Sequence, residues 1–263
     1  MTTGTTATDQ PVSLAQAPLR QARNSAAFWA ATGLSRGHEV IRRRGFLAVD
    51  GGARAGLRIL IQESDLDAGE VAELSELARR ATGPVNAEDP FGSTDLSHLD
   101  LRSWQMPVML RPPVSASASA SAPVPGGAPA VDVVRVERAE DLQAAELAVI
   151  EGFELTAFEP YRPGELFPAA LIAHPGVDVF LARQDGAPAG ACVRVVDDGL
   201  ASHYWVATAP AFRSRGVGRA VMRASLADLA QLPATLTASK LGRPLYESLG
   251  YSVASPSTWW ASR

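Results

Sequence analysis

The stretch "WVATAPAFRSRGVGRAVM", residues 205–222, changes character twice. It opens as a short apolar run of strand character. Pro210 closes that run, because proline has no N–H to give a sheet ladder. From Val217 the residues favour helix, with Val217, Ala220, Val221, Ala224 and Leu229 forming an apolar stripe. At the joint stand Arg213, Arg215 and Arg219 together with Gly216 and Gly218. Glycine at such a joint permits positive φ or close backbone approach. The first turn of a helix presents N–H groups without intrahelical partners, and partial positive charge. The joint therefore suits a phosphate.

Two familiar phosphate loops do not fit. The Walker pattern G-x-x-x-x-G-K-[ST] is absent, and the single lysine, Lys240, follows no such loop. The dinucleotide pattern G-x-G-x-x-G is half met by Gly216 and Gly218, but its third position is Val221. No acidic residue stands at the required distance in a following strand.

The 263 residues allow one large domain or two modest ones, and a hydrophobic fraction of 46% is enough for a core. The net charge of −4 is spread as −1 over residues 1–130 (12 basic, 13 acidic) and −3 over residues 131–263 (12 basic, 15 acidic). No nucleic-acid partner is expected from that balance. The lone cysteine, Cys192, has no disulfide partner and reads as a small buried strand residue, and no Cys/His cluster has metal-ligand spacing. Residues 1–24 lack the charged start and apolar core of a signal peptide and read as a disordered tail. No apolar run approaches membrane-spanning length, so the expectation is a cytoplasmic protein without a membrane partner.

The run "RPPVSASASASAPVPGGAPA", residues 111–130, cannot bury a core and marks a Pro/Ala/Ser linker over residues 112–130. Before it, residues 25–111 predict a smaller α+β domain. "SAAFWAATGLSR" reads as a helix, the segment after His38 as a hairpin turning at Asp50-Gly51-Gly52, "DAGEVAELSELARRAT" as a helix and "RSWQMPVMLR" as one closing strand. Arg42, Arg43 and Arg44 read either as an anion site or as a solvated strand. After the linker, residues 131–263 predict the order β-α-α-β-β-β-α-β-α-β-β, with "GELFPAALIAH" as the second helix. Tight hairpins are expected at Asp185-Gly186 and Asp198-Gly199.

That order, with the arginine–glycine joint, resembles the GNAT superfamily of acetyl-CoA-dependent N-acetyltransferases. Its acyl-CoA signature [RQ]-x-x-G-x-[GA] is matched by Arg213-Ser214-Arg215-Gly216-Val217-Gly218, and a second family motif by "TASKLGRPLYESLGY". The resemblance covers about half the chain, residues 131–263. It implies a mixed, mostly antiparallel sheet flanked by helices, an α/β (α+β) fold. It also implies a coenzyme A pyrophosphate cradled by the N–H groups from Ser214 to Arg219, with Arg213, Arg215 and Arg219 adding charge. In the family the strand before the loop splays from its neighbour and pantetheine bonds to its backbone; Val206, Ala207 and Thr208 match those positions. Tyr246 matches the tyrosine that protonates the departing thiolate, and Ser239 falls where many relatives carry a cofactor-contacting asparagine.

The implied activity is acetyl transfer from acetyl-CoA to a primary amine of a small molecule or a protein terminus. The alternative is a non-catalytic acyl-CoA-binding module. His203 is a candidate base, although strict alternation along its strand puts it on the face opposite Thr208. Glu151, Glu154, Glu159 and Glu165, interleaved with Phe153, Phe158 and Tyr161, are candidates for the acceptor pocket. The N-terminal half reads as a packing partner or lid, or as a degenerate second copy without a cofactor site. The acceptor amine, the acyl chain and the oligomeric state, with a homodimer as one expectation, stay open.

Overall fold

The computed structural model describes residues 12–114 and 131–262. The elements run α1 (Ala17–Ser35), β1 (Glu39–Arg42), β2 (Phe46–Asp50), α2 (Gly52–Ala55), β3 (Leu57–Ile61), α3 (Ala68–Arg80), β4 (Val85–Asp89), β5 (Arg102–Gln105) and β6 (Val108–Arg111). Then follow β7 (Val131–Arg135), α4 (Ala139–Phe153), β8 (Val177–Gln184), β9 (Ala187–Asp197), β10 (Leu200–Thr208), α5 (Val217–Leu226), β11 (Ala234–Thr237), α6 (Arg243–Glu247), β12 (Ser252–Ser255) and β13 (Thr258–Ala261).

Two mostly antiparallel sheets result, flanked by helices, which is the fold class expected. The first has the order β1-β2-β3-β4-β13-β5, the second β12-β6-β11-β10-β9-β8-β7. Their construction repeats. In each, three antiparallel strands are followed by a helix (α3 or α5) that returns the chain to a parallel neighbour, β4 beside β3 and β11 beside β10. The last strand of each series is exchanged: β13 lies between β4 and β5, and β6 lies between β11 and β12.

This exchange corrects the sequence reading in two places. "RSWQMPVMLR" is two strands, because Pro107 breaks the run and sends β5 and β6 to different sheets. "TWWA" is inserted into the first sheet between β4 and β5 and is no part of the second. The sequence boundary at residues 112–130 is therefore not a boundary between sheets. Of that linker, Pro112 to Val114 are described, and the Val114 N–H donates to the Ala230 carbonyl at 2.7 Å; residues 115–130 lie outside the described residues.

The expected tail over residues 1–24 also needs correction. Residues 1–11 lie outside the described residues, but from Ala17 onward the chain is helix, with Pro18 in the first turn, where its missing N–H costs nothing. Helix α1 is buried against both sheets. Asn24 donates to the Val195 and Leu200 carbonyls, both at 3.3 Å, and accepts from the Tyr204 hydroxyl at 2.8 Å. Phe28, Trp29 and Ala30 join the core formed by α4 and the second sheet. The role of Asn24 is hidden from composition-based reasoning because its partners lie more than 170 residues away.

Other differences are local. The hairpin after His38 turns at Arg43-Arg44-Gly45, and Gly52 instead opens the short helix α2 between β2 and β3. "GELFPAALIAH" forms a single 3₁₀ turn at Ala169–Leu171 with no α-helix. Both Asp-Gly hairpins are as expected, with Asp185 and Gly186 at φ 52° and 80° and Asp198 and Gly199 at 45° and 70°. These positive pairs match the twist of the flanking strands. Among the described residues no helix is long and apolar enough to cross a membrane.

Candidate active site

The second sheet opens at one place. β10 pairs with β11 from Ala201 to His203, and the last matched position is His203 with Leu236. From Tyr204 to Thr208, β10 continues without β11 beside it, while its other edge stays on β9 through Ala207–Ala191 and Thr208–Gly190. A parted pair of strands leaves backbone groups on the inner edge for an occupant to satisfy. Val206, Ala207 and Thr208 all lie on this free stretch.

A β-bulge shapes the opening. Between the pairs Tyr204–Val193 and Ala207–Ala191, two residues of β10 face one of β9, and Trp205 takes a φ of 52°. Positive φ in a bulky residue is strained and persists only where the surroundings enforce it. The extra residue resets the alternation. Tyr204 and Trp205 both face α1 and α4, whereas Val206 faces the α5 side with His203. His203 and Thr208 therefore share a face, contrary to the period-two expectation. A bulge adds one residue to one strand, and no signal in the sequence announced it.

The arginine–glycine joint sits directly after this strand. Ser214 and Gly216 have φ of 63° and 85°, and Gly216 caps α5 without a side-chain hydrogen bond. Among the described residues, none of the N–H groups from Ser214 to Arg219 donates to a protein acceptor. Free N–H groups gathered at a helix N-terminus are an arrangement suited to an anion. A Cβ on Gly216 would meet nothing within 4 Å, so the loop is open there. Gly218 differs: its Cβ would lie 3.3 Å from Leu245 Cδ2 and 3.5 Å from Thr208 Oγ1, so its smallness lets α5 approach α6 and β10. The arginines diverge. Arg213 donates to the Gly152 carbonyl at 3.1 Å at the end of α4, Arg219 donates to Ser248 Oγ at 2.8 Å, and Arg215 leans over Phe212.

The equivalent place in the first sheet is closed. β3 stays paired with β4 up to Leu60–Glu88, leaving only Ile61 beyond. The N-terminus of α3 is filled by its own capping box: Asp67 Oδ1 accepts the Glu70 N–H at 2.8 Å, and Glu70 Oε2 accepts the Asp67 N–H at 3.2 Å. An acidic approach and a satisfied helix end offer a phosphate nothing.

Tyr246 is on α6, buried, with its ring edge-on to Tyr251 at 6.0 Å between centroids. No hydrogen bond engages its hydroxyl among the described residues. Burial lifts its pKa above the ordinary phenol value, so it holds its proton. Ser239 Oγ accepts the Gly242 N–H at 3.1 Å and so starts α6. The Gly242 Cα faces the Tyr246 ring, and a Cβ there would lie 2.9 Å from Cε2. His203 is buried against Tyr251, whose hydroxyl lies 3.2 Å from Nδ1, and burial lowers its pKa to about 3. It is neutral and enclosed, a supporting group for Tyr251 and not a solvent-exchanging base. Cys192, opposite the bulge, has its thiol pushed up to about 12 by burial and is no nucleophile.

The four glutamates suggested for the acceptor side do not converge. Glu165 is bound to Arg54, Glu154 approaches Arg213 at 3.8 Å, and Glu151 and Glu159 are exposed. The organising carboxylate is Glu146 on α4, fully buried. It accepts from the Tyr161 hydroxyl at 2.8 Å and from the N–H groups of Gly164, Leu166 and Phe167 at 2.8, 2.6 and 3.0 Å. Four charge-assisted bonds offset the cost of burying it and fix the loop beside the cleft. The N-terminal half holds the same loop, since Arg54 also reaches the Glu159 carbonyl at 3.2 Å and Arg36 donates to the Leu166 carbonyl.

Residues 175–253 match the family model of the acetyltransferase (GNAT) domain. Among solved structures, the chain is similar to a GCN5-related N-acetyltransferase from Kribbella flavida, with TM-score 0.59 and 17% identity over 93% of this chain and 95% of that one. It is also similar to a putative GNAT-family acetyltransferase from Novosphingobium aromaticivorans, with TM-score 0.53 and 18% identity over 84% and 89% of the two chains. Comparison with curated proteins finds no match. The likeness to both structures spans the two sheets together. The chain has a GNAT-like fold, which supports acyl transfer as a class of chemistry.

Proposed function

We propose that the protein transfers an acetyl group from acetyl-CoA to a primary amine by direct attack. The observation that carries this reading is the parting of β10 from β11 after His203–Leu236, immediately before a helix N-terminus whose N–H groups are free. The residues fit the cofactor. Ser214 to Arg219 offer backbone donors to a pyrophosphate, and the inner edge of Val206 to Thr208 offers a ladder to an amide-bearing arm. When bound, acetyl-CoA supplies the thioester carbonyl that the amine attacks. Tyr246 holds a proton at its hydroxyl, available to a departing thiolate. The bulge turns Trp205 to the side away from α5 and α6, where an acceptor would approach.

The N-terminal half is a second copy of the same plan whose cofactor site is gone, and it serves to support the acceptor side. That assignment rests on the repeated sheet order and the closed β3–β4 pair. A non-catalytic acyl-CoA-binding module would need the loop but not a protonated, unengaged tyrosine. Thiol release from acetyl-CoA against an amine panel decides between them. Binding of acetyl-CoA without thiol release for any amine would favour the module. Gly218→Glu should abolish binding through bulk and charge, and unchanged affinity in that variant would overturn the site itself.

A further inference from the structure

Arg58 is held in the interior without a partner matched to its charge. It lies on β3, across from Asn86 of β4 and Val49 of β2, on the face turned to α1. Its guanidinium carbon is 4.1 Å from the ring centroid of Trp29 on α1 and 5.0 Å from that of Trp259 on β13. Both indoles are thus within cation–π reach of the fork. Among the described residues no carboxylate forms a contact ion pair with it, and its Nε is buried without an acceptor. Trp29 Nε1 and Trp259 Nε1 are likewise buried without acceptors.

The neighbouring carboxylate, Glu88, makes no contact ion pair with it. Glu88, in register with Leu60 and Trp259, is 2% exposed and accepts from Ser25 Oγ at 3.2 Å. Burial raises the Glu88 pKa and lowers that of Arg58, so desolvation outweighs their mutual attraction on both sides. Arg58 Nε and the two indole N–H groups are three buried donors without acceptors in one neighbourhood, a set that an acceptor-rich anion would suit.

The position ties this site to the cleft. The Trp29 ring is 5.7 Å from that of Trp205, the bulge residue, and Trp205 is 5.4 Å from Phe153 at the end of α4. An aromatic wall thus runs from the parted end of β10 to Arg58. We propose that Arg58, beside Trp29 and Trp259, binds a carboxylate carried by the amine acceptor, which makes the substrate class an amino acid with an apolar body lying along Trp205. This rests on the acyl-transfer reading for the word acceptor, while the carboxylate site stands on its own geometry.

The test uses matched pairs with and without the carboxylate, phenylalanine against phenethylamine and 6-aminohexanoate against hexylamine. Each is titrated by calorimetry into the full chain in the presence of coenzyme A. The carboxylate member of at least one pair should bind tenfold or more tighter to the unaltered protein, and Arg58→Gln should reduce that preference below twofold while coenzyme A affinity holds. Arg58→Lys, which keeps charge but loses the fork, should fall between. Equal or weaker binding of the carboxylate members, no binding of either member, or a preference that survives Arg58→Gln overturns the proposal. The comparison within the unaltered protein stands even if the variants fold poorly. Thiol release, measured separately, tests the acyl-transfer reading. Preference in binding without thiol release from any amine would remove that reading and leave the carboxylate site.

Discussion

Arg54 and Glu165 are joined by two parallel hydrogen bonds, Nε to Oε1 at 2.5 Å and Nη2 to Oε2 at 2.7 Å. One residue stands on the short helix α2 of the N-terminal half, the other in the loop that Glu146 organises beside the cleft. The bidentate geometry gives orientation more than energy, since both side chains remain partly exposed and the pair is screened by water. The N-terminal half thus reaches the loop beside the cleft through a directional contact.

Arg54→Ala should leave folding and acetyl-CoA affinity nearly unchanged and raise the acceptor KM by about 10-fold to 100-fold, the scale of effect that misplacing a positioning group produces. Arg54→Lys should recover only part of this, because an ammonium cannot form the fork. An acceptor KM that stays at its original value in Arg54→Ala would remove the loop from the acceptor site.

The loop before α5 gives a second prediction. Gly216 sits at φ 85° with open space around its missing Cβ, so Gly216→Ala adds no clash and tests conformation alone. Left-handed backbone costs a residue with a Cβ roughly 1–2 kcal/mol. If the loop relaxes to avoid that cost, its N–H groups turn away and acetyl-CoA affinity should fall about tenfold, in line with about 1.4 kcal/mol. Titration should give one site per chain, because the α3 N-terminus is occupied by Asp67. Two sites per chain, or full affinity in Gly216→Ala, would contradict the assignment.

The second half was legible in the sequence because its signals are local. The Asp-Gly turns, the apolar stripe of α5 and the arginine–glycine joint all act within a few residues, and each forms where expected. Three features were not legible. The exchange of β6 and β13 depends on pairing between segments some 150 residues apart, and only the breaks at Pro107 and Pro256 hint at it. The bulge at Trp205 is an insertion relative to β9, invisible in a single strand read alone. Nothing in the sequence marks Arg58 and Glu88 among the other strand residues, and only the packing around α1 buries them.

His203 gives a pH prediction. Its pKa is lowered by burial to about 3 from an ordinary value near 6.5. The unfolded chain binds a proton that the folded chain refuses, so stability is full above pH 6.5 and declines as the pH falls toward 3. By pH 5 the loss from this group alone is about 2 kcal/mol. His203→Asn, which cannot titrate, should flatten the decline between pH 7 and pH 5 by that amount relative to the unaltered protein. Denaturant midpoints at the two pH values measure it. Parallel declines in both proteins would mean that His203 titrates normally in the folded state.

Tyr246 carries the chemical prediction. Because no hydrogen bond engages its hydroxyl and the ring is packed against Tyr251, Tyr246→Phe removes an oxygen without breaking a bond or opening a cavity. Stability and acetyl-CoA affinity should therefore hold, whereas a purely structural tyrosine with a bonded hydroxyl would cost about 1 kcal/mol on the same change. Turnover should fall by roughly 10²–10⁴, the usual contribution of a positioned general acid, and nearer the low end because a coenzyme A thiolate leaves readily. The pH profile separates this role from simple packing. Burial raises the Tyr246 pKa above that of free phenol, so the acid stays protonated and kcat should show no falling limb below pH 10. Both outcomes are read with one amine acceptor, as kcat from pH 6 to pH 10 in the two proteins and a melting temperature for each. Normal turnover in Tyr246→Phe, with melting temperature unchanged, would leave the proton to another donor.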